Sequence, residues 1–289
     1  MFTQRRHAVT ADLPVRRLSV GDLPACLDLA ADRNWTREDR KWRLLFEVSE
    51  IYGLDDPAGG GLAGAVVLTR YGLDLAAIGM MLVAARYGRR GLGSRLMTHA
   101  LERAAGAVVY LTATEFGRPL YQRLGFRALD ISVTHRGLLR AEPPAAGTAS
   151  LRIASEADLA SLSAIDATVF GAPRRNILTR LLSFAERVVI AEEHAAITGF
   201  AAAWQNESIL VVGPVVAADL PTAKSLIGAV AVGASGPVRV DVLGSHAGLA
   251  EWAAARGLAA GDETALMVRG GELPGDRGRL FAPVSVAIG

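Results

Sequence analysis

The chain has 289 residues, 51% of them hydrophobic and 21% charged, with a formal net charge of +2. That apolar fraction excludes a disordered chain, which could not bury enough surface to offset its ordering entropy, and a charge so near zero argues against a protein built mainly to grip phosphate backbones. One cysteine, Cys26, excludes an intramolecular disulfide and a cysteine-based zinc site.

Lys41 and Lys224 are the only lysines, so nearly all the positive charge is arginine; with the abundant alanine and glycine this reads as compositional bias rather than phosphate recognition. Met1 to Val9 holds Arg5, Arg6 and His7 with no apolar run behind them, which does not read as a signal peptide. The longest weakly polar run, Ser225 to Val238, lies between Lys224 and Arg239 and is too short to span a bilayer. The expectation is a soluble cytoplasmic protein with no membrane and no nucleic-acid partner.

The elements follow in order. A strand over Val15–Leu18 leads through Ser19 and Asp22, both good cap residues, into a helix over Leu23–Ala31. Strands are expected near Ser49–Leu54 and over Leu62–Arg70, with an Asp-Asp-Pro-Ala-Gly-Gly-Gly turn between them. Leu75–Val83 is almost wholly apolar, as in a strand buried on both faces. A glycine-rich loop then opens a helix over Gly91–Ala105, where Leu92, Leu96, Ala100, Leu101 and Ala104 keep a 3/4 spacing. Ala107–Leu111 reads as a strand, Arg118–Leu124 as a short helix, and Phe126–Leu138 as ending in strand structure. The fold class is α/β, with strands and helices in one mixed sheet.

Ala141 to Ser150, with two prolines, a glycine and small residues, reads as a linker. The halves beside it share a pattern. Val15–Leu23 matches Leu151–Leu159 with Asp22 and Asp158 136 residues apart, and Gly64 matches Gly199 at 135. Gly79 matches Gly213 at 134, and Gly125 matches Gly257 at 132. Four matches in one order, with so little drift, indicate a duplicated domain. The expected division is 1–140, a linker over 141–150, and 151–289.

The stretch from Ile78 to Met97 carries the chemistry. A buried strand enters a Gly/Arg loop, and the loop opens a helix whose first N–H groups lack intrahelical acceptors and lie at the positive end of its dipole. Glycines turn such donors inward, which makes an anion cradle suited to phosphate, and Arg89 and Arg90 add charge. Two nucleotide motifs fit poorly. A P-loop needs Gly-Lys-Ser/Thr and no lysine is near; the dinucleotide fingerprint needs Gly or Ala where Leu96 stands, and an acidic residue where the next strand ends in Leu111-Thr112.

Gly88-Arg-Arg-Gly-Leu-Gly93 resembles the pyrophosphate loop of the GCN5-related N-acetyltransferases (GNAT), Gln/Arg-x-x-Gly-x-Gly/Ala. Leu120-Tyr-Gln-Arg-Leu-Gly-Phe126 is similar to that family's second signature, in the right order and 28 residues from Gly93 to Tyr121. The resemblance covers Val15–Leu138 well and the second half weakly, as in bacterial tandem members with an active-looking first domain and a diverged second one. It implies two tandem GNAT-like acyl-CoA N-acyltransferase domains, and acetyl transfer from acetyl-CoA to a primary amine of a small molecule or peptide, by direct attack in a ternary complex. It further implies that Leu82 and Val83 pair with the pantetheine arm, and that Arg89, Arg90, Gly91, Leu92, Gly93 and Ser94 hold the pyrophosphate. Tyr121 would protonate the departing thiolate. Thr114 stands where the family often has an asparagine, and Gly88 stands at the Gln/Arg position with Arg89 one place later. No metal is expected, and the chain is a monomer or homodimer.

Leu75 to Val83 offers no Asp, Glu or His as a base; Glu115 is a weak candidate beside its plainer reading as a helix-start carboxylate. His99 reads as a surface or half-buried helix residue. Trp35 and Trp42 fall where the family lines its acceptor pocket, with buried packing the better reading. In the second half Ala253 replaces the tyrosine. Gly213-Pro-Val-Val-Ala-Ala-Asp-Leu-Pro-Thr-Ala-Lys224 replaces the loop, and Asp219 there would repel a pyrophosphate while capping a helix after Pro221. That half is expected to keep the fold, to bind no acetyl-CoA productively and to help close the acceptor site, with Asp241 and His246 either facing it or serving as plain loop residues. The rival functions are a non-catalytic acyl-CoA-binding regulator and a transferase using another acyl-CoA.

Overall fold

The computed structural model describes residues 13–140, 149–194 and 196–289. Residues 141–148 of the expected linker, and Arg5, Arg6 and His7, lie outside the described residues.

The first half runs β1 (Val15–Arg17), α1 (Leu23–Asp32), α2 (Asp39–Val48), β2 (Glu50–Asp55), β3 (Leu62–Tyr71), β4 (Leu75–Val83), α3 (Leu92–Arg103), β5 (Val108–Ala113), α4 (Arg118–Arg123) and β6 (Arg127–Gly137). The second repeats the order: β7 (Ser150–Ile153), α5 (Leu159–Phe170), α6 (Arg175–Phe184), β8 (Arg187–Glu193), β9 (Ala196–Asn206) and β10 (Ile209–Val216), then α7 (Leu220–Val230), β11 (Val238–Leu243), α8 (Ala247–Ala255) and β12 (Leu258–Arg269). A final strand, β13 (Leu280–Ala282), has no counterpart in the first half.

The duplication extends to single bonds. Arg16 binds Asp22, and Arg152 binds Asp158, each at 2.7 Å. The same two carboxylates accept from the amides of Ser19 and Ser155, each at 2.8 Å. Each acid thus closes the first turn after its strand and starts the helix behind it.

Helix α2 has no counterpart in the sequence reading. Trp42, Leu45 and Val48 stand three apart on its buried side with Leu44 beside them, a 3/4 pattern that charged neighbours such as Arg40, Lys41, Arg43 and Glu47 conceal. Lys41 is buried and pairs with Glu38, whose other oxygen accepts from Asn206 Nδ2 at 2.6 Å. That bond links the first half to the second.

All the strands join one 13-stranded sheet, in the order β1-β2-β3-β4-β5-β12-β6-β11-β10-β9-β8-β7, with β13 beside β10. The sheet is continuous because the halves exchange their last strands. β12 lies between β5 and β6, pairing Ala265 with Ala113 on one side and Leu258 with Gly137 on the other. β6 in turn pairs with β11, from Val238–Gly137 to Leu243–Ser132. Each half therefore needs the other to complete its edge, since an unpaired ladder would leave backbone donors and acceptors unsatisfied. Helices α1 and α3 both pack on β3 and β4, and α7 packs on β8, β9 and β10.

Candidate active site

The site begins where two parallel strands part. β4 and β5 pair from Leu75–Val108 to Ile78–Leu111 and no further. Just beyond, β4 slips against β3: Val67 faces Gly79 while Ala65 faces Leu82, so Met80 and Met81 stand opposite Val66 alone. Met80 sits at φ +46, in the left-handed region. Such a bulge bends its strand, and here it turns the end of β4 away from β5. Leu82 and Val83 keep β3 on one edge, facing Ala65 and Gly64, and have no strand on the other.

Beyond the split lies the loop. Among the described residues, the six amides from Arg89 to Ser94 find no backbone acceptor, and the first closed bond of α3 is Arg95 N to Gly91 O at 3.0 Å. Gly91 is the helix cap residue, at φ +81, with no side chain capping α3. Open space lies where a Cβ on Gly91 would stand. The loop is fastened from behind. Asp32 Oδ2 accepts from Ala85 N at 2.6 Å, and Asp56 takes Arg86 and the Tyr87 hydroxyl, the latter at 2.5 Å. Burial works against a charged Asp56, but the Tyr87 and Arg86 bonds outweigh it and hold the carboxyl below its usual range. Arg86 is thus committed to the scaffold. Arg90 lies over the Tyr87 ring at 5.6 Å, and Arg89 is exposed at φ +59. These two carry charge that no carboxylate neutralises among the described residues.

Gly93 brings the parts together. A Cβ there would lie 3.3 Å from Leu120 Cδ2, 3.6 Å from Met81 Cε and 3.8 Å from Val83 Cγ2. The loop, the free end of β4 and the helix bearing Tyr121 therefore converge on one point. Tyr121 is only 7% exposed and packs edge-on against Phe126, with ring centres 6.1 Å apart. Burial alone pushes its phenol up to about 12. Gly117 makes its seat: a Cβ there would lie 2.9 Å from the Tyr121 ring. Thr114 is exposed, and its hydroxyl accepts from Gly117 N at 3.3 Å, so it serves the turn into α4.

The rim is aromatic and basic. Phe116 is 77% exposed, with the Arg33 guanidinium 5.8 Å above its ring, and Trp35 is 39% exposed. Trp42, by contrast, is fully buried. Glu115 is exposed next to Phe116. His99 is half-buried on α3, edge-on to Tyr52 at 4.6 Å. Asp241 is buried and bound by Thr134 and Arg239, and His246 stacks on Phe281 and bonds the Leu280 carbonyl at 2.9 Å. Both therefore serve packing, of the sheet and of the tail, rather than an open pocket. Asp32, Asp56 and Gly117 escaped the sequence reading because Asp32 ends helix α1 and the other two lie in loops, places where such residues are ordinary.

The second half repeats the split and then fills it. β10 pairs with β11 only over Leu210–Val212. It slips against β9 between Val212 and Val215, so Val216 and Ala217 take the places of Leu82 and Val83. Their free edge is not empty: β13 pairs Leu280 with Val216 there, and Ala217 N donates to the Arg279 carbonyl at 3.0 Å. At the helix behind, the Asp219 carboxylate accepts from Thr222 N at 2.8 Å and caps α7.

Models of the acetyltransferase (GNAT) domain match residues 48–128 and, separately, residues 162–282. The chain is 28% identical over 254 residues to the uncharacterized N-acetyltransferase YitH of Bacillus subtilis (strain 168), covering 87% of this chain and 89% of that protein. Its fold is like that of a proposed acetyltransferase of Pyrococcus horikoshii, with a TM-score of 0.80 at 18% identity over 96% of both chains. A tandem GNAT protein from the clavulanic acid biosynthesis pathway matches with a TM-score of 0.61 at 15% identity, over 90% of this chain and all of that one. Among the described residues no helix is long and apolar enough to cross a membrane.

Proposed function

Because the chain belongs to the GNAT acetyltransferase family, with a matched domain in each half, we propose that it moves an acetyl group from acetyl-CoA to a primary amine, using the first half alone. The observation that carries this reading is the contrast at the two helix N-termini. Six amides from Arg89 to Ser94 await an anion in the first half, while Asp219 already occupies the equivalent place in the second.

The residues fit the group. The amides of Arg89 to Ser94, with Arg89 and Arg90, hold the pyrophosphate, as a helix N-terminus favours. The free edge of Leu82 and Val83 offers strand-like hydrogen bonds to the pantetheine amides. Bound there, acetyl-CoA supplies an acetyl thioester, whose carbonyl carbon an amine attacks. The carbon–sulfur bond then breaks and the sulfur needs a proton. The Tyr121 phenol, kept protonated by burial, gives its proton to that sulfur, and the phenolate takes one back from solvent after CoA leaves. The amine must arrive neutral; water in the open rim, or Glu115, takes its proton. In the second half β13 stands where a pantetheine arm would pair, so the reading predicts one acetyl-CoA per chain.

Isothermal titration with acetyl-CoA tests the binding part, with a stoichiometry of one expected; no binding, or two sites, overturns it. CoA release across a panel of amines tests the transfer part. Acetyl-CoA binding with no release for any amine would leave the non-catalytic regulator in its place. Titrating propionyl- and succinyl-CoA beside acetyl-CoA ranks the donors.

A further inference from the structure

After β12 the chain crosses the sheet from the second split to the first, and it seats a residue on the fork of each. β13 pairs with β10, Pro283 then packs on Gly213, and Ala287 packs on Gly79, leaving no room for a Cβ at either glycine. Gly79 is the first residue of β4 past its last pairing with β5, and Gly213 likewise follows the last β10–β11 pair at Val212. The seat on the first fork is firm. Tyr71 on β3 and Tyr110 on β5 both donate to the Ile288 carbonyl, the latter at 3.2 Å. Arg174 Nη1 donates to the Gly289 carbonyl at 2.8 Å, while Asp166 holds its other nitrogens at 2.8 and 2.9 Å, with both side chains fully buried. The tail also ties itself, since Ile288 N and Gly289 N donate to the Ser285 carbonyl at 3.0 and 2.8 Å, and Val284 N donates to the Gly289 carbonyl at 2.9 Å. Val284, Ala287 and Ile288 are buried.

Little space is left beside this seat. A narrow cavity bordered by Tyr110, Thr112, Phe170 and Val286 among others has room for about one water-sized group. Thr112 is the first residue of β5 past the last β4–β5 pair, so that room adjoins the fork. On the reading above, the pyrophosphate lies at the loop that follows β4 and the pantetheine arm lies along Leu82 and Val83. An arm held in that way runs back along β4 toward Met81, Met80 and Gly79, so the acyl group is the part that meets the fork. An open fork would let a longer acyl chain run on between the parted strands. Here the backbone of Ala287 already covers Gly79. Adding methylenes to a filled apolar space forces side chains and backbone out of place.

We propose that residues 284–289 form the end wall of the acyl pocket and restrict the chain to acetyl-CoA among the straight-chain acyl-CoAs. The inference rests on the acetyl-CoA reading above and gives the reason for its donor specificity. Val286 and Ala287 are the specificity residues, and they come from the end of the second half. The same tail thus does two jobs: β13 fills the second split, and the residues after it shorten the first.

Isothermal titration of the full chain with acetyl-, propionyl- and butyryl-CoA tests the wall without any turnover, because the three share every group except the acyl chain. Affinity is expected to fall about tenfold with each added methylene. In a chain stopped after Pro283 the three are expected to bind within about threefold of one another, with acetyl-CoA bound as in wild type. Val286→Ala is expected to raise butyryl-CoA affinity by about threefold or more and to leave acetyl-CoA unchanged. Equal affinities in the wild-type chain overturn the wall, and so does a wild-type ranking kept in both variants. Should the shortened chain not fold by circular dichroism, Val286→Ala decides alone, and no gain for butyryl-CoA overturns the wall. Discrimination by acyl length with no CoA released to any amine would keep the wall and sink the transfer reading. Acetyl transfer with equal affinities for all three would do the reverse, and no binding of any acyl-CoA overturns both.

Discussion

The two halves begin alike and end differently. Both open on an Arg–Asp pair that starts a helix, and both bend a central strand away from its parallel neighbour at a bulge. In the first half the gap beyond is left free, and the helix behind it starts at Gly91 with open amides. In the second, β13 pairs along the gap and Asp219 caps the helix. The lesson is that this fold makes a ligand groove by default, because a split strand and a helix N-terminus are both short of partners. A copy that gives up the groove must satisfy those groups itself, and the second half does so with its own tail and its own carboxylate.

The comparison can be broken most severely by making the first half imitate the second. Gly91→Asp puts a carboxylate where Asp219 stands in the copy. Losing two charge-assisted hydrogen bonds at about 2 kcal/mol each is expected to weaken acetyl-CoA by about 1000-fold by isothermal titration. The chain should still fold by circular dichroism, because aspartate tolerates positive φ better than most residues. Unchanged affinity would remove the loop as the pyrophosphate site.

Tyr121→Phe makes the first half resemble the second at the position of Ala253. A drop in kcat of about 100-fold is expected, with acetyl-CoA affinity unchanged. Because burial holds the phenol at about 12, loss of its proton should not limit the wild-type rate anywhere near neutral pH. A rate that falls through pH 8 in wild type but not in Tyr121→Phe would contradict that assignment.

Asp219→Ala tests the converse. It removes the cap on α7 and is expected to cost about 1 kcal/mol in urea unfolding. It should not create a second acetyl-CoA site, since β13 still occupies the strand edge. A stoichiometry of two in this variant would show that the carboxylate alone closes the copy.

The smallest effect probes what the halves share. The Arg16 bond holds Asp22, and the Arg152 bond holds Asp158, below the usual carboxylate range. A folded pKa below the unfolded one, about 3.9, adds stability above that value and loses it as pH falls through the folded pKa. Both arginines are partly exposed, so solvent screening keeps the contribution of each pair small. Asp22→Asn and Asp158→Asn are expected to lower the melting temperature slightly at pH 7 and to flatten the decline of stability below pH 4. Equal slopes in wild type and both variants would deny the pairs that role.

Much of this was legible in sequence. Leu75–Val83 was bounded to the residue, because a strand buried on both faces is a continuous apolar run. The Gly91 helix start and the Tyr121 helix were visible because glycine, proline and cap residues mark local backbone geometry. The duplication was visible through four short motifs in constant register. Helix α2 was hidden by its charged exposed face, and β13 is three residues long with no alternation to read.

The sequence by itself determined the class of fold, the place of the loop and the divergence of the second copy, since local periods and caps are written in side chains. Only the tertiary structure decided the exchange of β6 and β12, the filling of the second split and the seating of Ala287 on Gly79. Those outcomes turn on which edge pairs with which. The backbone groups that make such pairings are the same in nearly every residue, so the choice among edges leaves little mark in the sequence.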